Sequence, residues 1–377
     1  MSSLLYVHDL PFILAGEVCY SASFTDEYFE RFLMAGFDRL DIVSRVAIDS
    51  LNCDGYNFLN NESVKVSRLV GSGYRNLLRP SVFISLWRLA ESSDLVVIST
   101  PSVNGVYASI LCLLLGKRYV CEVAGDYTAF ETKKFGRTIT LLLRFYMPWL
   151  VRKAVGATYV TNDLAKKYPN ANFFVGSNVN IHHVFPRSSY ALKRPEVVSV
   201  GFVGGLVERK GIRTIIQAAA LLKRECQDKS YIFNFIGGHA DYDWEALCVG
   251  LDVSDVCIFH GMKKRAEIDV LLGSFDLYVQ PSFSEGVPRA AIEAMSHGLP
   301  VIASTLPGFF EILPAEVLVT PGGASVLAEK IRNFAKNESV RKKHGERNLE
   351  RAKSFLFKEM NEARVGFYKG VRDLLRL

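Results

Sequence analysis

The segment LYVQPSFSEGVPRAAIEAMSHGLPVIAS (277–304) has the clearest structural pattern in the chain. Its first four residues predict a buried strand, and the PSFS that follows is typical of a loop. Pro288 suits the first turn of a helix, where its missing N–H is no loss, and residues 300–303 predict the next strand. A strand, a helix and a strand in this order predict a parallel α/β sheet, and such sheets bind ligands at the carboxyl ends of their strands.

The same alternation extends on both sides of this segment, from residue 197 to residue 333. Short apolar, β-branched runs predict strands at 197–203, 231–236, 256–259, 277–280, 300–303 and 317–319. Amphipathic stretches predict helices at 212–224, 242–249, 264–272, 289–297 and 324–333. Because most strand runs lack a polar-alternating face, we expect a parallel sheet buried on both sides, as in a Rossmann-like domain.

The first half repeats this pattern less regularly. Strands are predicted near 4–8, 41–46, 94–98, 118–123 and 157–160, and helices near 23–35, 77–90, 103–115 and 138–155. Residues 177–195 have no sustained period, which indicates a linker. We therefore predict an α/β fold with two Rossmann-like domains facing across a cleft, at 1–180 and 195–354. A C-terminal crossover helix at 355–377 is expected to pack back toward the N-terminal domain.

Composition limits the kind of protein. A chain of 377 residues, 49% hydrophobic and 22% charged, predicts about two globular domains rather than a disordered protein. Seven scattered cysteines without a CxxC pair favour reduced thiols, and we expect neither a cleaved signal nor a membrane span, so we predict a cytoplasmic location. The net charge of +6 is compatible with phosphate ligands or with an anionic membrane surface.

Two carboxylates, Glu285 and Glu293, flank the start of the helix predicted at 289–297. A helix N-terminus binds anions such as phosphate through its free N–H groups, whereas carboxylates accept hydrogen bonds from hydroxyls. A nucleotide sugar satisfies both, because it has a diphosphate between two polyhydroxylic groups. The rival interpretation is a glycoside hydrolase pair. The helix dipole and Arg289 favour ionised carboxylates, however, whereas a hydrolase needs a protonated general acid.

These residues resemble the retaining glycosyltransferases of family 4, which have the two-domain GT-B architecture. The resemblance rests on an ordered set of motifs: GFVGGLVERKGI (201–212), IFHG (258–261), LYVQPS (277–282), E-x7-E from Glu285 to Glu293, GLPVIAS (298–304) and GFFE (308–311). It is close from about residue 198 to residue 327 and only architectural before that.

The resemblance implies a role for each matching residue. Glu293 would hold the ribose hydroxyls, Glu285 would lie toward the donor sugar, and Lys210 would neutralise the diphosphate as it leaves. The backbone of residues 286–288 (Gly286, Val287 and Pro288) would lie along the sugar and the diphosphate. In the first half, Gly16 would approach the donor phosphate, and Asp126, after the strand at 118–123, would touch the reacting sugar or the acceptor.

Two positions depart from the family pattern, and the first is Gly125, where many members have a His before the residue that matches Asp126. At the second, Gly205 stands where the family usually has an Arg, and Arg209 is the nearest substitute in the sequence. This departure leaves open a non-catalytic glycosyltransferase-like subunit that binds nucleotide sugar or supports a partner enzyme. A nucleotide-sugar epimerase of the same shape would need acid/base carboxylates in both halves, and the sequence does not show them.

Other patterns favour structural roles. The Asp241-Tyr242-Asp243 triplet resembles a metal-binding DxD but opens a predicted helix, which is typical of N-cap acidity. His182 and His183 are expected to be solvated in the linker. GFVGGL is not GxGxxG, so a nicotinamide enzyme is not favoured. We predict no cofactor, no metal and no nucleic-acid partner.

Two stretches mix Lys and Arg with aromatic and aliphatic residues, at 73–90 and 132–154. Each fits a helix lying in a bilayer interface, although packing within the domain is the favoured explanation for each stretch alone. Their place in the half that would bind the acceptor favours a lipid-linked glycan acceptor and peripheral contact with an anionic membrane. The sequence thus predicts a retaining, metal-independent glycosyltransferase that uses a nucleoside-diphosphate sugar.

Overall fold

The computed structural model describes residues 2–15, 18–21, 24–48, 57–70, 79–127, 136–177, 179, 181–226, 229–238 and 242–377. The chain divides into two compact units. The N-terminal unit comprises Met1–Ser177 together with Asn361–Leu377, and the C-terminal unit comprises Asn178–Met360.

The N-terminal unit is built on one large sheet. Its strands are β1 Ser3–Val7, β2 Phe12–Ala15, β3 Val18–Ser21, β4 Arg39–Ile48, β5 Asn57–Leu59, β6 Val64–Val70, β7 Leu95–Thr100, β8 Tyr119–Val123, β9 Gly156–Tyr159 and β10 Phe173–Val175. Its first five helices are α1 Asp26–Met34, α2 Pro80–Ser92, α3 Val103–Leu115, α4 Gly136–Lys153 and α5 Asn162–Lys167. The strand order is β10-β9-β8-β7-β1-β4-β2-β3-β5, and β6 also pairs with β4. The pairs are parallel except at one edge, where β3 runs antiparallel to β2 and β5.

The C-terminal unit has a second sheet with the order β13-β12-β11-β14-β15-β16, and its pairs are all parallel. Its strands are β11 Val197–Val203, β12 Ser230–Ile236, β13 Cys257–Phe259, β14 Leu277–Gln280, β15 Val301–Ser304 and β16 Leu318–Val319. Its helices are α6 Ile212–Glu225, α7 Trp244–Gly250, α8 Arg265–Ser274, α9 Arg289–Ser296, α10 Pro307–Phe310, α11 Ala324–Lys336 and α12 Glu338–Lys353. The last helix of the chain, α13 Phe357–Leu375, begins here and ends in the N-terminal unit.

The predicted parallel sheet of residues 197–319 is confirmed. Its strands are buried almost throughout, because helices cover both faces and leave no polar-alternating side. Each strand ends in a loop that leads into the next helix, so the loops after β11, β14 and β15 meet at one edge of the sheet.

Helix α13 completes the core of the N-terminal unit. Its Tyr368 is buried beside Phe32, and the Tyr368 hydroxyl donates to the buried carboxylate of Glu122 at 2.7 Å. Arg31 lies 2.7 Å from the same carboxylate. Burial by itself would raise the pKa of Glu122, but Arg31 and the hydrogen bonds from tyrosine hydroxyls, including that of Tyr6, outweigh it, so this pKa is lowered.

No helix in the part of the chain that the structure describes is long and apolar enough to cross a membrane.

Candidate functional site

The loop after β11 passes directly over the end of the neighbouring strand β12. The Gly204 N–H donates to the Ile236 carbonyl at 2.9 Å, and the Leu206 N–H donates to the Gly238 carbonyl at the same distance. A Cβ on Gly237 would lie 1.9 Å from the Gly204 carbonyl oxygen, so the two backbones approach as closely as glycine permits. Gly205, at the top of this loop, is exposed and has open space beside its Cα.

Lys210 ends the short 3₁₀ turn Glu208–Lys210 that follows this loop. The next residue, Gly211, has a φ of +77°, and a Cβ there would lie 2.1 Å from the carbonyl oxygen of Pro281. The Phe283 N–H also donates to the Arg209 carbonyl at 2.8 Å. These contacts hold the loop after β11 against the loop after β14.

Lys210 and Glu285 form an ion pair between these two loops. The ammonium lies 2.7 Å from Oε1 and 2.8 Å from Oε2 of the carboxylate. Both side chains are largely shielded from water, with 17% of Lys210 and 6% of Glu285 exposed. The pair therefore lies in a medium of lower dielectric than the surface, where it is stronger than an exposed pair.

Two further side chains fix the Glu285 carboxylate. Gln280, the last residue of β14, donates to Oε1 at 2.6 Å, and the Ser282 hydroxyl donates to Oε1 at 2.7 Å. Gln280 accepts in turn from the hydroxyl of the buried Tyr278 at 3.2 Å. Burial raises the pKa of Tyr278 well above its usual value, so this hydroxyl stays a hydrogen-bond donor.

The backbone between Glu285 and α9 is accessible at one side. Gly286 is exposed and has open space beside its Cα, and Pro288 is the N-cap of α9 without a described side-chain capping bond. On the other side, a Cβ on Gly308 would lie 2.2 Å from the Gly286 carbonyl oxygen. The segment is thus backed by the loop after β15, while its open side and the helix N-terminus can receive an anionic ligand.

Glu293 lies on α9, with only 9% of its side chain exposed. Its Oε1 accepts a short hydrogen bond from the Arg265 guanidinium, which also pairs with Asp269 at 3.3 Å. Burial by itself would lower the pKa of Arg265, but Glu293 and Asp269 outweigh it, so this pKa is raised. The carboxylate expected to hold ribose hydroxyls therefore has a cationic neighbour.

The other predicted residues lie in different surroundings. Gly205 is exposed in the loop after β11, and Arg209 is exposed in the 3₁₀ turn that follows it. Asp126 follows β8 in the N-terminal unit, where Lys167 lies 2.6 Å from its Oδ2 and the Tyr168 hydroxyl donates to Oδ1. Gly16 lies outside the described residues.

The N-cap role predicted for the acidic triplet at 241–243 is confirmed at Asp243. Asp243 is the N-cap of α7 and accepts from the Ala246 N–H at 3.0 Å, while Asp241 lies outside the described residues. His182 and His183 are exposed. Within the described ranges, no group of three or more His, Cys, Asp or Glu side chains is arranged to hold a metal ion.

Sequence reasoning missed three members of the site, namely Gln280, Ser282 and Arg265. A polar residue that ends a buried strand is a usable signal for Gln280, because strand ends in parallel sheets point toward ligands. Arg265 stands at the first position of α8, where a cation opposes the helix dipole. An arginine at the start of a helix therefore suggests an acidic partner elsewhere in the fold.

Solved structures share the architecture of the whole chain. Sucrose-phosphate synthase from Thermosynechococcus elongatus has a TM-score of 0.66 and 16% identity, covering 99% of this chain and 100% of that one. Anabaena HepE in complex with UDP and glucose has the same TM-score and identity, covering 96% of this chain and 98% of its own. At this identity the likeness shows the fold alone, and that fold is GT-B.

The family model described as glycosyl transferases group 1 matches residues 191–351. Protein CapJ of Staphylococcus aureus is 28% identical over 356 residues, which are 90% of this chain and 88% of CapJ. The amylovoran biosynthesis glycosyltransferase AmsK of Erwinia amylovora is 30% identical over 147 residues, and the match spans 36% of each chain. The family model and these relatives support a glycosyltransferase of the GT-B fold.

Proposed function

We propose that the chain is a retaining, metal-independent glycosyltransferase that moves a sugar from a nucleoside-diphosphate sugar to a hydroxyl. The observation that supports it most strongly is the shielded cluster of Lys210, Glu285, Gln280 and Ser282 beside open backbone at Gly286. A cation, carboxylates that can accept from hydroxyls, and a helix N-terminus at one sheet edge match the parts of such a donor. HepE, which shares the fold, was solved with UDP and glucose.

The donor would be held at its ribose, at its diphosphate and at its sugar. Glu293 accepts from the ribose hydroxyls, the backbone of 286–288 lies along the sugar and diphosphate, and Glu285 faces the sugar. Lys210 gains a second anionic partner when the diphosphate arrives, and Arg209, exposed on the same loop, supplies a further charge. The expected contact of Gly16 with the donor phosphate stays a prediction, because Gly16 lies outside the described residues.

The chemistry we propose is a front-face displacement. The bond between the anomeric carbon and the diphosphate oxygen breaks, the acceptor oxygen bonds to the same face of that carbon, and the acceptor proton passes to the leaving diphosphate. Lys210 stabilises the charge that develops on the diphosphate, a kind of interaction worth several kcal/mol in enzymes. Asp126 would contact the reacting sugar or the acceptor; in the free protein its carboxylate binds Lys167.

The acceptor we propose is a lipid-linked intermediate of a surface glycan. AmsK takes part in amylovoran biosynthesis according to its name. Exposed apolar side chains lie on α3 (Ile110, Leu113 and Leu114) and on α4 (Phe145 and Trp149), and a Ser109–Tyr146 hydrogen bond joins the two helices. We name these five residues the α3–α4 apolar patch. With the exposed Arg144, Arg152 and Lys153 nearby on α4, the patch suits an anionic membrane surface at the cytoplasmic side.

Gly205 favours a second candidate function. An exposed glycine where the family has a cation leaves the diphosphate with fewer positive partners, and this suits a subunit that binds nucleotide sugar without turning it over. Gly205→Arg fits the open space at this position. In a transferase limited by this missing charge, Gly205→Arg should raise kcat, whereas a silent subunit should stay inactive.

The proposed function is tested first by binding. Thermal shifts are measured with UDP-, GDP-, ADP- and dTDP-sugars for the wild type, Glu293→Ala and the control Glu329→Ala, which alters an exposed carboxylate on α11. We expect at least one donor to stabilise the wild type and the control but not Glu293→Ala. Nucleotide release from that donor is then measured with lipid-linked acceptors. Release dependent on the acceptor supports the transferase, binding without release favours the silent subunit, and no binding contradicts both.

A further inference from the structure

Arg265 occupies a position that helix stability does not explain. It is the first residue of α8, where the helix dipole is positive and an acidic residue is preferred. Glu267 provides that acidic residue, since its carboxylate accepts from the Lys264 N–H at 3.0 Å. The positive charge of Arg265 therefore does not stabilise the first turn of α8, and it forms ion pairs outside that turn.

The contacts of Arg265 use three nitrogens of the guanidinium. One terminal nitrogen donates to Oε1 of Glu293, while Nε and the other terminal nitrogen each lie 3.3 Å from an oxygen of Asp269. Asp269 is itself anchored, because its Oδ1 lies 3.2 Å from Nε2 of His297. His297 is 4% exposed and stacks on Phe185 with ring centroids 4.2 Å apart. The arginine is thus held at one end by a fixed carboxylate and presents its other end to Glu293.

This arrangement leaves Glu293 able to bind a ligand. A carboxylate accepts about four hydrogen bonds, so a Glu293 that receives Arg265 on Oε1 keeps acceptor capacity on Oε2. A flexible glutamate has several rotamers, and a charge-assisted bond to a fixed arginine selects one of them. The Arg265 side chain is 48% exposed, so the pair is accessible from the solvent side of the site.

We infer that Arg265 is a positioning residue that holds the Glu293 carboxylate in the orientation that accepts the ribose hydroxyls of the donor. This inference rests on the proposed function, since it assumes that Glu293 binds ribose. It assigns Arg265 no direct contact with the diphosphate. Asp269 and His297 form the support of the arginine, so the orientation of Glu293 depends on a chain of contacts from α8 to the end of α9.

The test compares a ribonucleotide with an analogue that lacks the ribose hydroxyls. Dissociation constants are measured by calorimetry for whichever of UDP, GDP and ADP binds the wild type most tightly, and for its 2′,3′-dideoxy counterpart. The proteins are the wild type, Arg265→Ala, Glu293→Ala and the double variant. Lys264→Ala is the control, because it removes a positive charge one residue earlier in the chain.

The wild type and Lys264→Ala should prefer the ribonucleotide by about tenfold or more, as expected for hydrogen bonds to a charged group. Arg265→Ala should reduce this preference at least threefold, while affinity for the dideoxy compound changes less than about twofold. In the Glu293→Ala background, the loss of Arg265 should have no further effect on the preference.

Other results overturn the inference. If Arg265→Ala weakens the binding of both ligands equally, Arg265 has only a structural role. If Arg265→Ala binds the ribonucleotide more tightly than the wild type does, Arg265 competes with the ribose for Glu293. A preference that is lost in Glu293→Ala but kept in Arg265→Ala would reject the role of Arg265 and leave the proposed function intact. A wild type that binds none of the three nucleotides would reject both.

Discussion

Glu285 is a carboxylate with little exposure to water that depends on one cation, Lys210. Removing only one partner of such a pair leaves a shielded charge without its counter-ion, which costs more than the pair itself contributes. We expect Lys210→Ala to lower the free energy of unfolding by about 2 kcal/mol, because Gln280 and Ser282 still donate to the carboxylate. Urea denaturation measures this change, followed by the fluorescence of the buried Trp244 in the same unit in a background with Trp87→Phe and Trp149→Phe.

Two variants control for this prediction. Lys210→Met combined with Glu285→Gln should recover most of the stability, since no unpaired charge remains. Lys223→Ala breaks an exposed pair with Asp255 and should have no measurable effect. If Lys210→Ala is as stable as Lys223→Ala, the Lys210–Glu285 pair has no structural role, and its charges serve ligand binding alone.

Sequence reasoning located Lys210 and Glu285 separately, but it did not show that they bind each other. The two residues are 75 positions apart, and only the contact between the loops after β11 and β14 brings them together. The same holds for Arg265 and Glu293, which lie 28 positions apart on different helices. A single sequence gives residue types and local spacing, whereas these pairs depend on the register of neighbouring strands.

At the scale of elements, α3 and α4 carry apolar side chains that are exposed and do not pack in the core of their unit. Phe145 is 70% exposed and Leu114 is 63% exposed, both in the α3–α4 apolar patch. We expect the protein to sediment with anionic vesicles and the double variant Phe145→Ser and Trp149→Ser to lose about tenfold or more in affinity, since burial of an aromatic side chain contributes about 1.5–3 kcal/mol.

The vesicle experiment needs a matched control and a salt series. Val249→Ser alters an apolar side chain that is 72% exposed on α7 in the other unit, and it should bind vesicles as the wild type does. Binding should weaken with rising salt and with neutral lipid, because the charges on α4 act over a short screening length. Equal binding by both variants, or no binding by the wild type, would contradict membrane contact through this patch.

Elements with apolar periodicity were predicted well, and elements without it were not. The helices predicted between 212 and 333 all form, and their ends differ from the prediction by at most about three residues. Helix α12 was missed, because its inner face is built from polar side chains such as Arg341 and Asn348. Arg341 donates to backbone carbonyls of α11, and Asn348 donates to the Leu299 carbonyl at 2.9 Å. A polar buried face has no hydrophobic period that a sequence could reveal.

At the scale of the whole molecule, buried histidines should make both units less stable in acid, since burial also lowers the pKa of His8, in the N-terminal unit, to about 4. Burial lowers the pKa of His297 and His344, both in the C-terminal unit, against the opposing effect of nearby carboxylates. Below pH 6.5 the unfolded chain therefore binds protons that the folded unit does not, so stability falls as the pH drops through this range. In the N-terminal unit the lowered pKa of Glu122 stabilises the fold above about pH 4.5, and this contribution is lost only at lower pH.

Thermal denaturation between pH 7.5 and pH 5.5 measures this loss of stability. We expect the transition of the C-terminal unit, followed by Trp244 fluorescence in a Trp87→Phe, Trp149→Phe background, to move to lower temperature on acidification. His344→Gln should reduce the dependence on pH, because Gln does not titrate. Glu122→Gln should leave the slope in this range unchanged while lowering stability throughout. A transition temperature that is independent of pH in the wild type would contradict the histidine assignment.

The GT-B class was predictable from the order of motifs, but the edge of the first sheet was not. At this edge β3 pairs antiparallel with β2 and β5, and these three short strands lack a clear period-2 pattern in the sequence. Strand pairing at such an edge is set by the turns and by neighbouring strands, which local propensity does not encode. The same limit applies to β6, a strand of seven residues that pairs with β4 and was not predicted.

The position of Tyr368 has a consequence for the order of synthesis. A ribosome makes the strands of the N-terminal unit first, yet Glu122 lacks its hydrogen bond from Tyr368 until the last helix has been translated. All residues of the C-terminal unit, 178–360, have been synthesised before that point. The core of the first unit is therefore completed only after all residues of the second unit have been synthesised.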